Sequence, residues 1–415
     1  MRFYLESYGC SASRRDAELI AWILEKRGWK EAKRPEDAEM LVINTCVVKK
    51  PTEEKMVKRI KRLAGLGKRL IIAGCMPEVM PEVLQEIAPD ASWVSTNRLP
   101  EFEMALEKKV RIRGRKLEKA GMQKKRKNPV IDIIEIGSGC NHRCSYCIVK
   151  LVKGDFLPYP KEKILAELKA GLEAGCKEFW ITSQDLASHP ELPRLLLEML
   201  RLPGKHFFRL GMMHPGNLLR FLPEMLEVYQ DPKVFKFLHL PLQSGSDRIL
   251  TEMGRGYKAG DFLRIVKKFR ETFPRLTLWT DVIIGYPGEE DDDFEQTLRV
   301  LEKIRPDWVN VSKFGKRPGT RAEKLKELPR ELVEKRTKEA AGLVRKLAEE
   351  ANLKWTGWQG EVLIDEWNQK KKSWIGRNFA YKPVALSEGR FGEFLKVEIS
   401  GYLPTCLLGR VIKKK

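Results

Sequence analysis

The chain has 415 residues, 42% of them hydrophobic, enough for two or three domains with cores of their own at roughly 100–200 residues per domain. That excludes a disordered tail protein. Lys and Arg number 78 against 57 for Asp and Glu, a formal charge of +21, and an excess of that size points to a polyanionic partner: RNA, DNA or an acidic membrane.

No run reaches the roughly 18–20 apolar residues of a membrane span, and the opening MRFYLESYGC carries no signal-peptide core. A cytoplasmic location without a membrane partner is therefore expected. Thiols stay reduced there, so the eight cysteines are expected as metal ligands or core residues rather than disulfides.

In chain order, the first hundred residues alternate predicted strands (Phe3–Ser7, Met40–Asn44, Leu70–Ala73) with predicted helices (Arg14–Arg27, Thr52–Leu66, Pro81–Ile87). This alternation predicts a parallel, Rossmann-like sheet over residues 1–106. From 107 to 128 eleven Lys or Arg accompany only two acidic residues. That composition predicts a basic linker or hairpin, with Lys124, Lys125, Arg126 and Lys127 as candidate RNA contacts.

Between residues 129 and 328 the alternation resumes, with predicted strands at Ile131–Ile136, Glu178–Thr182, Phe207–Gly211, Phe237–Leu240, Leu278–Ile283 and Trp308–Phe314. Six strands with intervening helices predict a partial (βα)6 barrel of TIM type or an open doubly wound sheet. Pro329–Leu353 reads as a connecting helix with its apolar residues at helical spacing.

Residues 354–415 hold four of the ten tryptophans and short alternating runs at Glu361–Asp365, Lys396–Ile399 and Leu407–Ile412. This predicts a small antiparallel, OB-like barrel. Lys370, Lys371, Lys372 and Arg377 are its candidate phosphate contacts, and Trp355, Trp358, Trp367 and Trp374 are base-stacking platforms or core residues.

The first strand of the predicted barrel runs into GSGCNHRCSYCIVK, which places Cys140, Cys144 and Cys147 at C-x3-C-x2-C on the loop at its C-terminal end. Active sites of βα barrels lie on that face. Three thiolates on one short loop suit three irons of a 4Fe-4S cluster and leave the fourth open to a ligand. The alternative is a structural zinc site with His142 as fourth ligand, although such ligands usually come as two separated pairs.

Cys10, Cys46 and Cys75 share no local motif, yet each follows a predicted parallel strand, so all three fall on one sheet edge. Both a second three-cysteine cluster and three buried core cysteines satisfy that spacing. Cys176 and Cys406 have no partners at metal spacing and are expected in the core.

The C-x3-C-x2-C motif after the first barrel strand resembles the radical S-adenosylmethionine (SAM) superfamily. SYGCSASRRDAE, NTCVVKKPTE and AGCMPE resemble the N-terminal domain of its methylthiotransferases. CSYCIVKLVKGDFLPYP, EFWITSQD, FRLGMMHP, HLPLQSGSDRILTEMGRGY, TDVIIGYPGEEDDDFEQT and SKFGKRPGTRA follow that family's order, and the C-terminal barrel resembles a TRAM domain, an RNA-binding module.

The resemblance implies two 4Fe-4S clusters, one on Cys140, Cys144 and Cys147 and one on Cys10, Cys46 and Cys75, with SAM on the first. It also implies an aromatic role for Tyr146 beside the SAM cluster. Partners would be tRNA, an electron donor and a sulfur source, and a monomer is expected. KLVKGDFLPYP and WITSQD look most like the branch that converts N6-threonylcarbamoyladenosine at position 37 of tRNA to its 2-methylthio derivative. Isopentenyladenosine or a ribosomal-protein aspartate are the substrates of sister branches, and a non-catalytic iron-sulfur RNA-binding protein is the alternative from another class.

SAM at the barrel mouth needs donors for its carboxylate and ribose. Ser183, Gln184, Gln243 and Ser244 stand at predicted strand ends, and Arg209 is expected either as a carboxylate partner or in a core ion pair with Asp185. Asp281 is expected to face the substrate, while His214 and His239 read as structural. Lys153, where the family commonly has Arg, and Gln184, where it commonly has an acid, are departures that bear on the SAM contacts.

Overall fold

The computed structural model describes residues 1–412. Its N-terminal unit runs β1 (Arg2–Ser7), α1 (Ser11–Lys26), β2 (Lys30–Glu31), β3 (Met40–Thr45), α2 (Lys50–Ala64), β4 (Arg69–Gly74), α3 (Met76–Val79), α4 (Pro81–Ile87), β5 (Ser92–Ser95), α5 (Met104–Glu107) and β6 (Arg111–Ile112). The sheet is parallel throughout, in the order β2-β1-β3-β4-β5-β6. Every residue of β3 is buried, as a parallel strand covered on both faces requires. Leu41, Ile43 and Ile72 pack toward Met56 and Ile60 of α2, and Met40, Val42 and Ile71 pack toward Leu19 and Ile20 of α1.

The predicted free linker is corrected here. Arg111–Ile112 is the edge strand of the sheet, and of the basic residues after it Lys119 and Lys124 are buried while Arg113, Arg115 and Lys127 stay exposed. Lys119 is 1% exposed and pairs with Asp16 and Glu135. Lys124 is 8% exposed and pairs with Asp132 and Glu167, so its ammonium is not available to RNA. Arg126 donates to Asp132 at 2.7 Å, while Lys125 and Lys127 lie at the surface beside Glu25 and Glu31. Excess charge was visible in the composition; the carboxylates that neutralise it come from other elements.

The central unit runs β7 (Ile131–Glu135), β8 (Gly137–Ser138), α6 (Val149–Lys153), β9 (Leu157–Pro158), α7 (Lys161–Glu173), β10 (Glu178–Thr182), α8 (Leu192–Leu200), β11 (Phe207–Leu210), α9 (Pro215–Leu218), α10 (Leu222–Gln230), β12 (Phe237–His239), α11 (Asp247–Glu252), α12 (Ala259–Thr272), β13 (Thr277–Ile284), α13 (Asp291–Ile304) and β14 (Trp308–Lys313). Two parallel three-stranded sheets, β7-β10-β11 and β12-β13-β14, form it. Phe208 joins them by bonding Lys233 and Phe235 of the segment entering β12. The result is an open six-stranded βα barrel.

Helix α14 (Arg330–Leu353) leads to β15 (Gln359–Asn368), β16 (Ser373–Arg377), β17 (Pro383–Leu386), β18 (Phe394–Leu403) and β19 (Cys406–Val411), a closed barrel in the order β15-β16-β17-β19-β18. Trp355 is buried in its core, with Trp358 and Trp374 packed beside it.

The small barrel docks where strands of the central barrel begin. Lys177 Nζ donates to Gly392 O at 2.7 Å, Tyr381 Oη to Glu178 at 3.0 Å and Lys236 N to Phe379 O at 2.8 Å, and Lys382 pairs with Asp307 at 2.7 Å. The N-terminal unit covers the opposite end. Asn97 Nδ2 donates to Val152 O at 2.6 Å, Arg317 Nη2 to Val47 O at 2.7 Å, and Ile148 and Val152 join the apolar core beneath α2. Among the described residues no helix is long and apolar enough to cross a membrane.

Candidate active site

Cys140, Cys144 and Cys147 lie on the loop between β8 and α6, at the C-terminal mouth of the barrel. The paired β8 and β9 brace the loop, and Cys140 N donates to Gly154 O at 3.1 Å. Gly139 adopts φ +102°, and a Cβ there would stand 2.1 Å from Asp155 O, so only glycine lets the chain enter this turn. Ser145 N donates to Met253 O at 2.9 Å, Ala322 N donates to Ser145 O at 2.8 Å, and the Ser145 and Tyr286 hydroxyls stand 2.8 Å apart. The cysteine loop is thus held by distant parts of the same barrel.

Burial pushes the Cys140 thiol up to about 11 and the Cys147 thiol to about 12. Arg255, a residue the sequence did not single out, donates from Nη1 to Cys144 Sγ at 3.3 Å and lies 3.4 Å from the Tyr146 hydroxyl. Tyr146 itself packs with Ile249, Met253 and Tyr286.

Buried polar atoms without partners gather around this loop. Ser183 Oγ, both ring nitrogens of His214 and Arg255 Nη2 have none. Such atoms are costly unless a ligand or water satisfies them, which fits a mouth built for a polar small molecule. Gln184 Oε1 accepts from Gly139 N at 2.6 Å, so it buttresses the cysteine loop. Gln243 takes a left-handed backbone, φ +71°, between Asp281 O and Ile283 N; an unfavourable conformation of this kind in a non-glycine residue marks functional positions. Ser244 is buried against Thr297.

His142 stacks on His214 with ring centroids 3.6 Å apart. Asp185 lies 3.1 Å from His142 Nε2 and accepts from Asn217 Nδ2 and Ser188 Oγ, each at 2.8 Å. Asp185 is therefore committed within the mouth and is not the partner of Arg209.

Arg209 lies mid-strand, opposite Trp180. Its guanidinium stacks over Trp180, Phe237 and Tyr381, and Arg14 of α1 lies over the same Trp180 ring. It is lodged among these rings inside the barrel and, among the described residues, forms no ion pair with Asp185. Arg377 turns inward, pairing with Asp365 and Glu366, whereas Lys370, Lys371 and Lys372 are exposed at the β15–β16 turn beside Trp367 and Trp374, whose rings touch at a tilt of 56°.

Cys10 caps α1 after β1, Cys46 follows β3, and Cys75 caps α3 after β4. These strands are neighbours, so the three thiols share one sheet edge. Gly74, at φ +96°, has room for no side chain: a Cβ would lie 2.5 Å from Asn44 Oδ1 and from Thr45 O. Burial raises Cys46 and, to about 12, Cys75. In both, the Lys153 ammonium opposes the rise and the Cys10 charge adds to it.

Lys153 is 6% exposed and donates to Thr96 Oγ1 at 2.7 Å. The sequence reading assigned its replacement of Arg to the SAM contacts; the structure turns it toward the N-terminal cysteines instead. No group of three Cys, His, Asp or Glu side chains among the described residues already stands close enough for a single metal ion. Cys176 is buried in the central core and Cys406 is half-buried.

Residues 134–301 match the Radical SAM superfamily model, and residues 2–95 match the one described as Uncharacterized protein family UPF0004. The fold resembles the radical S-adenosylmethionine methyltransferase TsrM from Kitasatospora setae, at TM-score 0.58 and 15% identity over 78% of this chain and 77% of that one. It also resembles the cobalamin-dependent S-adenosylmethionine radical enzyme OxsB, at TM-score 0.53, 13% identity and coverage of 83% and 56%. Barrel and cysteine loop together define a radical SAM protein.

The chain is 38% identical to a probable threonylcarbamoyladenosine tRNA methylthiotransferase of Pyrococcus abyssi over 99% of this chain and 100% of that one. It is 30% identical to the human threonylcarbamoyladenosine tRNA methylthiotransferase over 96% of this chain and 72% of that one. The chain belongs to the threonylcarbamoyladenosine tRNA methylthiotransferase family.

Proposed function

We propose that this chain converts N6-threonylcarbamoyladenosine at position 37 of tRNA to the 2-methylthio derivative. The observation that carries the reading is the placement of two three-cysteine sets, one at the barrel mouth and one on the sheet edge of the unit covering it, with Lys153 reaching from the first toward the second. Full-length relatedness to enzymes named for this substrate supports it.

Cys140, Cys144 and Cys147 would hold the SAM cluster, and Cys10, Cys46 and Cys75 the second. Three thiols without a fourth are a suitable donor set for a cluster with one open iron. With SAM, a reduced cluster supplies a 5'-deoxyadenosyl radical, which chemistry at an unactivated C–H carbon requires.

Ser183 Oγ and Gln243 are placed to receive polar groups of SAM, Gln184 holds the loop, and Arg255 fixes Cys144 and Tyr146. The small barrel, with its exposed Lys370–Lys372 turn, is the RNA-binding module. The reaction replaces the adenine C2 hydrogen by a methylthio group, drawing its methyl from a second SAM, its electrons from a reducing donor and its sulfur from a separate source.

Nucleoside mass spectrometry tests this. A host lacking the modification, given this gene, is expected to gain 2-methylthio-N6-threonylcarbamoyladenosine; no 2-methylthio adenosine, with both clusters assembled, would sink the reading.

A further inference from the structure

The threonylcarbamoyl group carries a carboxylate, whereas an isopentenyl group carries no charge. A pocket that selects the former is best served by a cation with donors to spare, because a charge-assisted hydrogen bond to a carboxylate is among the stronger polar contacts.

Lys49 has that character. It stands three residues after Cys46, on the segment leaving β3, and is exposed. Its Nζ donates to Asn310 Oδ1 at 3.1 Å across the junction with the central barrel. That is its one hydrogen bond among the described residues, and no carboxylate lies within ion-pair distance of it, so two of its three N–H donors remain uncommitted.

Asn310 is itself oriented. Its Nδ2 donates to Asp281 Oδ1 at 2.8 Å, and the other oxygen of Asp281 lies 2.8 Å from His239 Nε2. Three adjacent strands, β12, β13 and β14, thus present a partly exposed polar row that ends on the Lys49 ammonium. Burial alone would raise Asp281, but His239, Asn310 and the Lys49 charge together hold it below the usual carboxylate value, so the row stays anionic at its centre and cationic at its end.

Three arginines of the same junction are already engaged. Arg317 is spent on Glu53 and Val47 O. Arg14 and Arg209 both lie over the Trp180 ring, at 5.6 and 5.4 Å, which covers a face of each guanidinium.

We propose that Lys49 binds the carboxylate of the threonylcarbamoyl group and that Asn310, held by Asp281, positions its ammonium. This rests on the substrate reading above and adds the residue that enforces it. Lys49 is a specificity residue; Asn310 is a positioning residue.

The test compares the full-length protein, with clusters assembled and SAM present, on anticodon stem-loops carrying threonylcarbamoyladenosine, its carboxylate methyl ester, or unmodified adenosine. The parent is expected to prefer the acid over the ester. Lys49→Met is expected to lose roughly tenfold to a hundredfold in affinity for the acid while binding the ester and the unmodified loop as before. Lys49→Arg is expected to keep the preference, and Asn310→Ala to lose part of it.

Iron content and 5'-deoxyadenosine formation confirm that each variant is intact. Equal weakening on all three RNAs would place Lys49 on the RNA backbone and overturn the proposal. So would an undiminished preference for the acid in Lys49→Met; the substrate reading survives either result provided the parent makes the 2-methylthio product.

Discussion

At the scale of single residues, Cys75 and Cys147 are thiols that burial drives up to about 12, so as the proposed cluster ligands they would bind iron only by giving up a proton that the protein alone holds firmly. Geometry must supply what acidity does not. At Gly74 the backbone passes against Asn44 and Thr45 with no space for a Cβ, and this fixes where Cys75 begins. Gly74→Ala is expected to cost the second cluster, lowering bound iron by about half, while SAM cleavage to 5'-deoxyadenosine persists. Iron quantitation beside that assay checks it, and full iron content would count against the assignment. The placement of the cysteines was legible: Cys140, Cys144 and Cys147 on the loop after the first barrel strand, and Cys10, Cys46 and Cys75 on one sheet edge because the alternating pattern put three strand ends there, although that spacing left a cluster and a core role equally open. Arg255 and Lys49 were not, and Lys153 was noticed without its neighbours, because each meets across a long stretch of chain a partner that no local pattern names.

At the scale of elements, α1 ties the N-terminal unit to the barrel. Its Arg15 is fully buried and forks onto Glu167 of α7, at 3.2 and 3.1 Å, with Glu135 of β7 at 3.5 Å. Removing one member of such a network strands the others away from water. Arg15→Met is expected to destabilise the fold by about 3–5 kcal/mol, read from denaturant unfolding; a loss below about 1 kcal/mol would show that the network is solvated.

The opposite end of the barrel carries a pH-sensitive contact. Burial and then the Asp365 carboxylate raise Glu178 to about 8. A carboxyl raised on folding stabilises most below its unfolded value near 4.5 and loses that contribution as pH climbs to about 8. Glu178→Gln, which retains an acceptor for Trp180 and Tyr381, is expected to flatten the fall in melting temperature over that range; an unchanged slope would contradict the pairing. Sequence periodicity placed all six strands of the central barrel but missed β2, β5 and β6 of the N-terminal sheet, since runs of two to four residues carry no period. It could not distinguish Lys124 from Lys125 either: only the tertiary approach of Asp132 and Glu167 buries the first.

At the scale of the whole molecule, the net charge of +21 is less evenly available than composition suggested. Lys119 and Lys124 of the 107–128 segment spend their charge inside, where they join the N-terminal unit to the barrel, while Arg113 and Arg115 remain exposed and the Lys370–Lys372 turn is the clearest basic feature of the small barrel. Replacing all three lysines by Ala is expected to weaken tRNA binding uniformly across sequences and to make the salt dependence shallower by about 2–3 in log–log slope. A selective effect on one tRNA would argue instead for base reading. The N-terminal unit covers the barrel mouth and the small barrel docks at its floor, so RNA held at the floor must extend past the barrel wall to bring position 37 to the cysteine sets.

The most direct test of that account uses an anticodon stem-loop whose threonylcarbamoyladenosine carries deuterium at C2, incubated with the reconstituted protein, SAM and a reductant. The expected result is 5'-deoxyadenosine that has gained the deuterium, together with RNA bearing a methylthio group at that carbon. Unlabelled 5'-deoxyadenosine, with the deuterium retained in the RNA and no methylthio product, would contradict it.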